Sequence, residues 1–232
     1  MPAILPDLPR VEAAIIEITN TVRIEAKLGA VTVSPQLTAA ARAYAAMLAK
    51  SGQFAHDADG TLSDRTQRAG YAHCTIAENL ASHQDSRGFE SRALARSALE
   101  GWLNSPGHRR NVMAPEMTDI GVAVAKSPDK DPKYIAVQLF GRPQSLSIQF
   151  QVSNASSETV SYTFDGKPHA LAPHMAAAMT SCVGGSLSFE TAAGVAFSAR
   201  YEAANGKSYM VTGGATGGAP LRIEVKDRQT VK

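Results

Sequence analysis

The hydrophobic period of this chain changes once, at Gly141-Arg142-Pro143-Gln144-Ser145. Before that point helical spacing and strand alternation follow one another. After it only the two-residue period remains. Apolar periodicity is the primary signal of secondary structure, so the change divides the chain into a mixed α/β part, 1–143, and an all-β part, 144–232. The 232 residues suffice for two ordinary domains, and a 44% hydrophobic fraction with 19% charged residues supplies enough apolar material for real cores.

In the first part, Leu8, Val11, Ile15, Ile18 and Val22 recur at helical spacing, with Gly29 as a stop. Ser34-Pro35 reads as an N-cap with proline in the first helical position. The stripe Leu37, Ala41, Tyr44 and Leu48 follows it, and Gly52 ends the helix. A short helix is predicted over Ser63–Ala69 and a longer one over Glu90–Asn104, with Trp102 in its core-facing stripe. Two strands follow: Ile120, Val122 and Val124, then Ile135, Val137 and Leu139, joined by a proline-containing surface loop.

In the second part, Leu146 to Val152, Val160 to Phe164, Val195 to Tyr201, Tyr209 to Val211 and Leu221 to Val225 alternate. Asp165-Gly166 and Asn205-Gly206 supply turns, which predicts a small β-sandwich. Gly213 to Gly218 lacks the Lys-Ser/Thr ending of a phosphate loop and reads as a turn.

The net charge is +2 and both parts are nearly neutral, which excludes a nucleic-acid footprint. No apolar run is long enough to span a membrane. Met1 to Arg10 carries no basic start, apolar core or cleavage site, so the chain is expected to be either cytosolic or a mature form. The two cysteines, Cys74 and Cys182, allow one bridge at most. A bridge would staple the two parts together; the alternative is two separate buried thiols.

Three short words concentrate the chemistry-bearing residues: Phe54-Ala55-His56, Ala77-Glu78-Asn79 and Ser105-Pro106-Gly107-His108. Ser105 is placed to cap a short helix, with Pro106 in its first position. His108 then lies in the first turn, where the positive end of the dipole favours a neutral imidazole. His56 follows the second helix in a polar turn, and Glu78 is expected in a loop. Two histidines and a glutamate could form a three-ligand zinc set with water in the fourth position, or a hydrogen-bonded network without metal. No glycine-serine-glycine elbow surrounds Ser105, so a serine nucleophile is not supported. His73, His83, His169 and His174 read as surface residues.

Taken in order, these words resemble the CAP superfamily in its bacterial SCP-like branch. Asn20-Thr21-Val22-Arg23, Asp64-Arg65, Ala69-Gly70-Tyr71 and Trp102-Leu103-Asn104-Ser105-Pro106-Gly107-His108 carry the likeness, with Ile120-Gly121-Val122 and Gln138-Leu139-Phe140-Gly141 closing it. The resemblance covers about residues 11–141. It implies a three-layer α-β-α sandwich with a central antiparallel sheet and a cleft holding His56, Glu78 and His108. Ser105 stands where the fuller family pattern has a second acid. The resemblance further implies secretion or a periplasmic location, hence a trimmed leader. It implies a small apolar, sterol-like or cell-envelope ligand, and Zn²⁺ on His56 and His108 where metal is bound, although no cofactor is required. A non-catalytic binding protein is the leading expectation, with a protein partner for the β module. An adhesion module and a zinc-dependent hydrolase, with Glu78 as general base, are the alternatives.

Overall fold

A computed structural model describes residues 4–191, 199–213 and 221–228. These residues form two compact units, Met1–Ser145 and Leu146–Lys232.

In the first unit the helices begin where the caps are. Asp7 accepts from the Arg10 amide to open α1, Leu8–Glu25. Ser34 accepts from the Leu37 amide to open α2, Pro35–Ser51, and Gly52 closes it in the left-handed conformation, where a side chain would be strained. A reciprocal capping box between Thr61 and Asp64 opens α3, Leu62–Arg68. Helices α4, Ser91–Asn104, and α5, Pro106–Met113, follow. The expected stop of α1 at Gly29 comes earlier: the helix ends at Glu25 and the chain turns through Lys27 at φ 61°.

Four strands form the sheet: β1, Thr32–Val33; β2, His73–His83; β3, Asp119–Lys126; and β4, Tyr134–Pro143, in the order β1-β3-β4-β2. The three long strands are antiparallel, and the two-residue edge strand β1 adds in parallel to β3. β4 is buried along most of its length and β3 through its middle, because helices cover both faces. One face packs on α1, α4 and α5 through Val11, Ile15, Leu94, Leu99, Trp102, Ile120 and Phe140. The other packs on α2 through Leu37, Tyr44, Leu48, Val137 and Leu139. At Gly121 a Cβ would lie 2.2 Å from the Leu37 carbonyl carbon, so α2 packs this close to β3 only over glycine.

β2 is the largest departure from the sequence expectation. Residues 77–79, expected in a loop, lie mid-strand, with Glu78 opposite Leu139 and Asn79 opposite Gln138. As an edge strand β2 has outward carbonyls, and two side chains cover them. Trp102 Nε1 donates to Leu80 O at 2.9 Å and Asn111 Nδ2 to Glu78 O at 3.0 Å.

The second unit stacks two sheets. One contains β10 (Tyr201–Glu202), β9 (Ser186–Thr191), β6 (Val160–Phe164) and β7 (Lys167–Leu171) in that order. The other contains β12 (Arg222–Asp227), β11 (Lys207–Thr212), β5 (Ile148–Asn154) and β8 (Ala176–Ser181). Phe150, Phe164, Phe189, Tyr209 and Val211 form the core, with Phe150 and Phe164 ring centroids 5.0 Å apart. The alternation read at Val195 and Phe197 and the glycines 214–218 lie outside the described residues. Strands β7, β8 and β9 carried no recognised sequence signal. Neither cysteine is a free thiol, so the reading of two separate thiols does not hold.

Candidate functional site

His56 and His108 come together although 52 positions separate them in the chain: their ring centroids are 6.5 Å apart, tilted by 43°. Glu78 lies beneath His56, with its Oε1 2.7 Å from His56 Nδ1. The Glu78 side chain is 3% exposed and the His56 side chain 58%, so the pair joins a buried carboxylate to an open imidazole. The three words of the sequence therefore meet at one site, on the loop after α2, on β2 and on α5.

The second carboxylate oxygen belongs to a residue outside those words. Arg65 on α3 donates from Nη2 to Glu78 Oε2 and to the His56 carbonyl, both at 3.0 Å. Its Nη1 donates to Asp59 Oδ1, and its guanidinium lies 3.3 Å from the Tyr44 ring centroid. Tyr44 in turn donates to the Ala55 carbonyl and accepts from the Ala58 amide at 3.3 Å. Burial pushes the Glu78 carboxyl above its ordinary value, while the His56 hydrogen bond and the Arg65 charge pull it back. Arg65 thus gives one charge-assisted hydrogen bond to each of two carboxylates, Glu78 and Asp59.

A second buried network holds the His108 side. Asn79 and Gln138 are fully buried. Asn79 Nδ2 donates to the His108 carbonyl at 3.3 Å and to Gln138 Oε1 at 3.0 Å. Asn111 Nδ2 donates to Asn79 Oδ1 at 2.9 Å, and Gln138 Nε2 to Thr19 Oγ1 at 3.0 Å. This chain of amides runs from α5 through the sheet to α1. Arg23 of α1 reaches the far end of α5, donating to the carbonyls of Val112 at 2.7 Å and Ala114 at 3.0 Å, and also to Gly29 and Met117.

His108 is half-buried, and its imidazole is held below the ordinary value, by burial first and by His56 second. The neutral state expected from the helix terminus thus has the expected direction and a different cause. Ser105 differs from expectation. It occupies the N-cap position in an extended conformation, φ −100° and ψ 119°, yet makes no side-chain capping hydrogen bond. Its carbonyl accepts from the Arg109 amide instead.

His174 is exposed as expected, whereas the other three histidines are less superficial than the sequence suggests. His73 is half-buried beside the Ser63 and Thr66 hydroxyls. His83 lies against Ser97 and Phe89, and burial lowers its imidazole. His169 stacks on Tyr162 with centroids 4.8 Å apart. Strand registers the sequence did not reveal turned all three inward.

A catalytic zinc takes three protein ligands. Both Glu78 oxygens are already engaged. Among the described residues no group of three or more His, Cys, Asp or Glu side chains is arranged to hold a metal ion. His56 and His108 would offer two imidazoles, so the trio does not fit a three-ligand zinc centre.

Arg65, Asn79, Asn111 and Gln138 are the site residues that motif reading passed over as functional groups. The available signal was a polar side chain at a core position: Asn79 between Glu78 and Leu80, and Gln138 between Val137 and Leu139.

Comparison with known proteins identifies the family of the first unit. The family model of the Cysteine-rich secretory protein family, CAP, matches residues 16–140. The chain belongs to this family. The uncharacterized protein YkwD of Bacillus subtilis is 28% identical over 118 residues, 50% of this chain and 43% of YkwD. The chain thus covers under half the length of that relative. An outer surface protein from Borrelia burgdorferi shares the fold at 22% identity and TM-score 0.50, over 58% of this chain and 93% of its own. An extracellular SCP-domain protein from Bacillus anthracis matches at 27% identity and TM-score 0.48, over 58% and 41%. No described helix is long and apolar enough to cross a membrane.

Proposed function

We propose that the CAP unit is a non-catalytic binding module that works outside the cytoplasm and takes a polar cell-envelope ligand in the His56–His108 cleft. The observation that carries this reading is the engagement of Glu78. A general base needs a free lone pair within reach of the substrate proton. Here the Glu78 carboxylate is 3% exposed and lies between His56 and Arg65, both at hydrogen-bond distance, so its remaining lone pairs are out of reach of a substrate proton. The side chains the site offers are the open His56 imidazole and the half-buried His108 imidazole, which suit a ligand with hydrogen-bonding groups. The extracellular and outer-surface descriptions of the similar proteins support the location. The reading needs no resident metal.

The test is calorimetric titration of the full chain with two probes, soluble peptidoglycan fragments and phosphatidylglycerol vesicles. Saturable binding of the fragments that weakens at least about tenfold in His56→Ala/His108→Ala is the expected result. Binding to vesicles alone would move the ligand class to lipid. Turnover of ester or peptide substrates that is abolished by the same variant would replace the binding reading with the hydrolytic one.

A further inference from the structure

We infer that Arg65 is a positioning residue: its guanidinium fork fixes the 53–61 loop in the conformation that presents His56 to the cleft. The apolar anchor of the loop is slight: the half-buried Ala58 packs against the α2 core, and no side chain of the loop enters it fully. From Gln53 to Thr61 no residue is buried, and Phe54 is 52% exposed. A segment with few buried apolar contacts opens easily unless polar contacts hold it. The contacts that hold this one converge on α3 and Tyr44. Arg65 binds the loop at two points, the His56 carbonyl and the Asp59 carboxylate, and binds the sheet at Glu78. Arg68, one turn further along α3, takes the other Asp59 oxygen at 2.7 Å. Tyr44 holds Ala55 and Ala58 while its ring lies under the Arg65 guanidinium. One buried side chain thus joins loop, helix and strand at the residue that carries the imidazole.

The geometry requires arginine and not merely a positive charge. The three acceptors lie on two different nitrogens of a planar group whose face rests on an aromatic ring. A lysine in its place keeps the charge near Glu78 and can satisfy only part of this set.

Hydrogen exchange by mass spectrometry on the full chain tests this without a ligand, so its outcome is independent of the binding proposal. Arg65→Lys should speed exchange of peptides covering 53–61 about tenfold or more, while peptides from β4 keep their protection. Asp59→Asn should give a smaller acceleration in the same peptides. It removes a partly exposed partner and so gives a folded control. Unchanged loop exchange in both variants would overturn the proposal. So would an equal rise across the whole first unit, or wild-type loop protection in Arg65→Lys alone.

Discussion

The two sides of the cleft are held by two buried arginines in opposite ways. Arg65 is paired with carboxylates, Asp59 and Glu78, on the His56 side. Arg23 is fully buried and its hydrogen-bond partners are all backbone carbonyls, two of them at the C-terminal end of α5, the helix that carries His108. The first solution holds an exposed loop with charge. The second holds a packed helix by capping its unsatisfied carbonyls, and it places a cation at the negative end of the helix dipole. Burial lowers the Arg23 guanidinium from its ordinary value, the cost of a charge whose hydrogen-bond partners are carbonyl dipoles, and the Glu116 charge offsets part of it. A charge-held loop can open alone, whereas a carbonyl-capped helix is tied to the core.

Breaking Arg23 should therefore cost the most. Arg23→Met leaves the carbonyls of Gly29, Val112, Ala114 and Met117 without a donor. A loss of about 3–5 kcal/mol is expected in urea unfolding, with the amide signals of α5 shifting together. A loss under about 1 kcal/mol would mean that the carbonyls find other partners.

The amide network comes next. Asn79→Ala removes the partner of both Gln138 and Asn111 in a site with no exposure, and about 2–3 kcal/mol should be lost. Comparison with Asn111→Ala in a double-mutant cycle separates coupling from simple truncation.

Arg65→Lys should be milder, about 1–2 kcal/mol, because the charge remains and the loop it releases holds no core residue. If it proves as costly as Arg23→Met, the distinction between a loop clamp and a core clamp fails.

The smallest effect is a pH dependence. His108 has its folded value below the ordinary 6.5. The unfolded chain therefore takes up this proton first as the pH falls. The stability this residue contributes is complete above pH 6.5 and is lost as the pH drops through its lowered value. Glu78, shifted upward from 4.5, has the opposite sign. The useful measurement is thus the difference between wild type and His108→Gln between pH 7 and 5, where the variant should lose less stability. An NMR titration placing His108 above 6.5 would reverse the sign.

Much of the scaffold was legible because its signals are local. Ser34-Pro35 opens α2 and Gly52 closes it within one turn of the residues that signal them, while the Thr61–Asp64 capping box that opens α3 was equally local and went unread. The alternations at Ile120–Val124 and Ile135–Leu139 became β3 and β4. β2 was missed because Glu78 and Asn79 interrupt its apolar pattern, and both are polar for reasons that lie elsewhere in the chain. Ser105 was misread in the other direction. A serine followed by proline satisfies every local rule for a cap, and the hydroxyl still makes no capping bond.

The sequence alone determined the boundaries of α2 set by its caps, the change from mixed to all-β patterning near residue 143, and the three words that meet around His56, Glu78 and His108. Only the tertiary structure decided how those words are used. It placed Glu78 on a strand, gave its two oxygens to His56 and Arg65, and brought Arg23 to carbonyls about 90 positions away. The physical reason is range. A cap or a stripe acts over one turn and leaves its trace in spacing. A buried charge finds its partners across the fold, and no spacing records them.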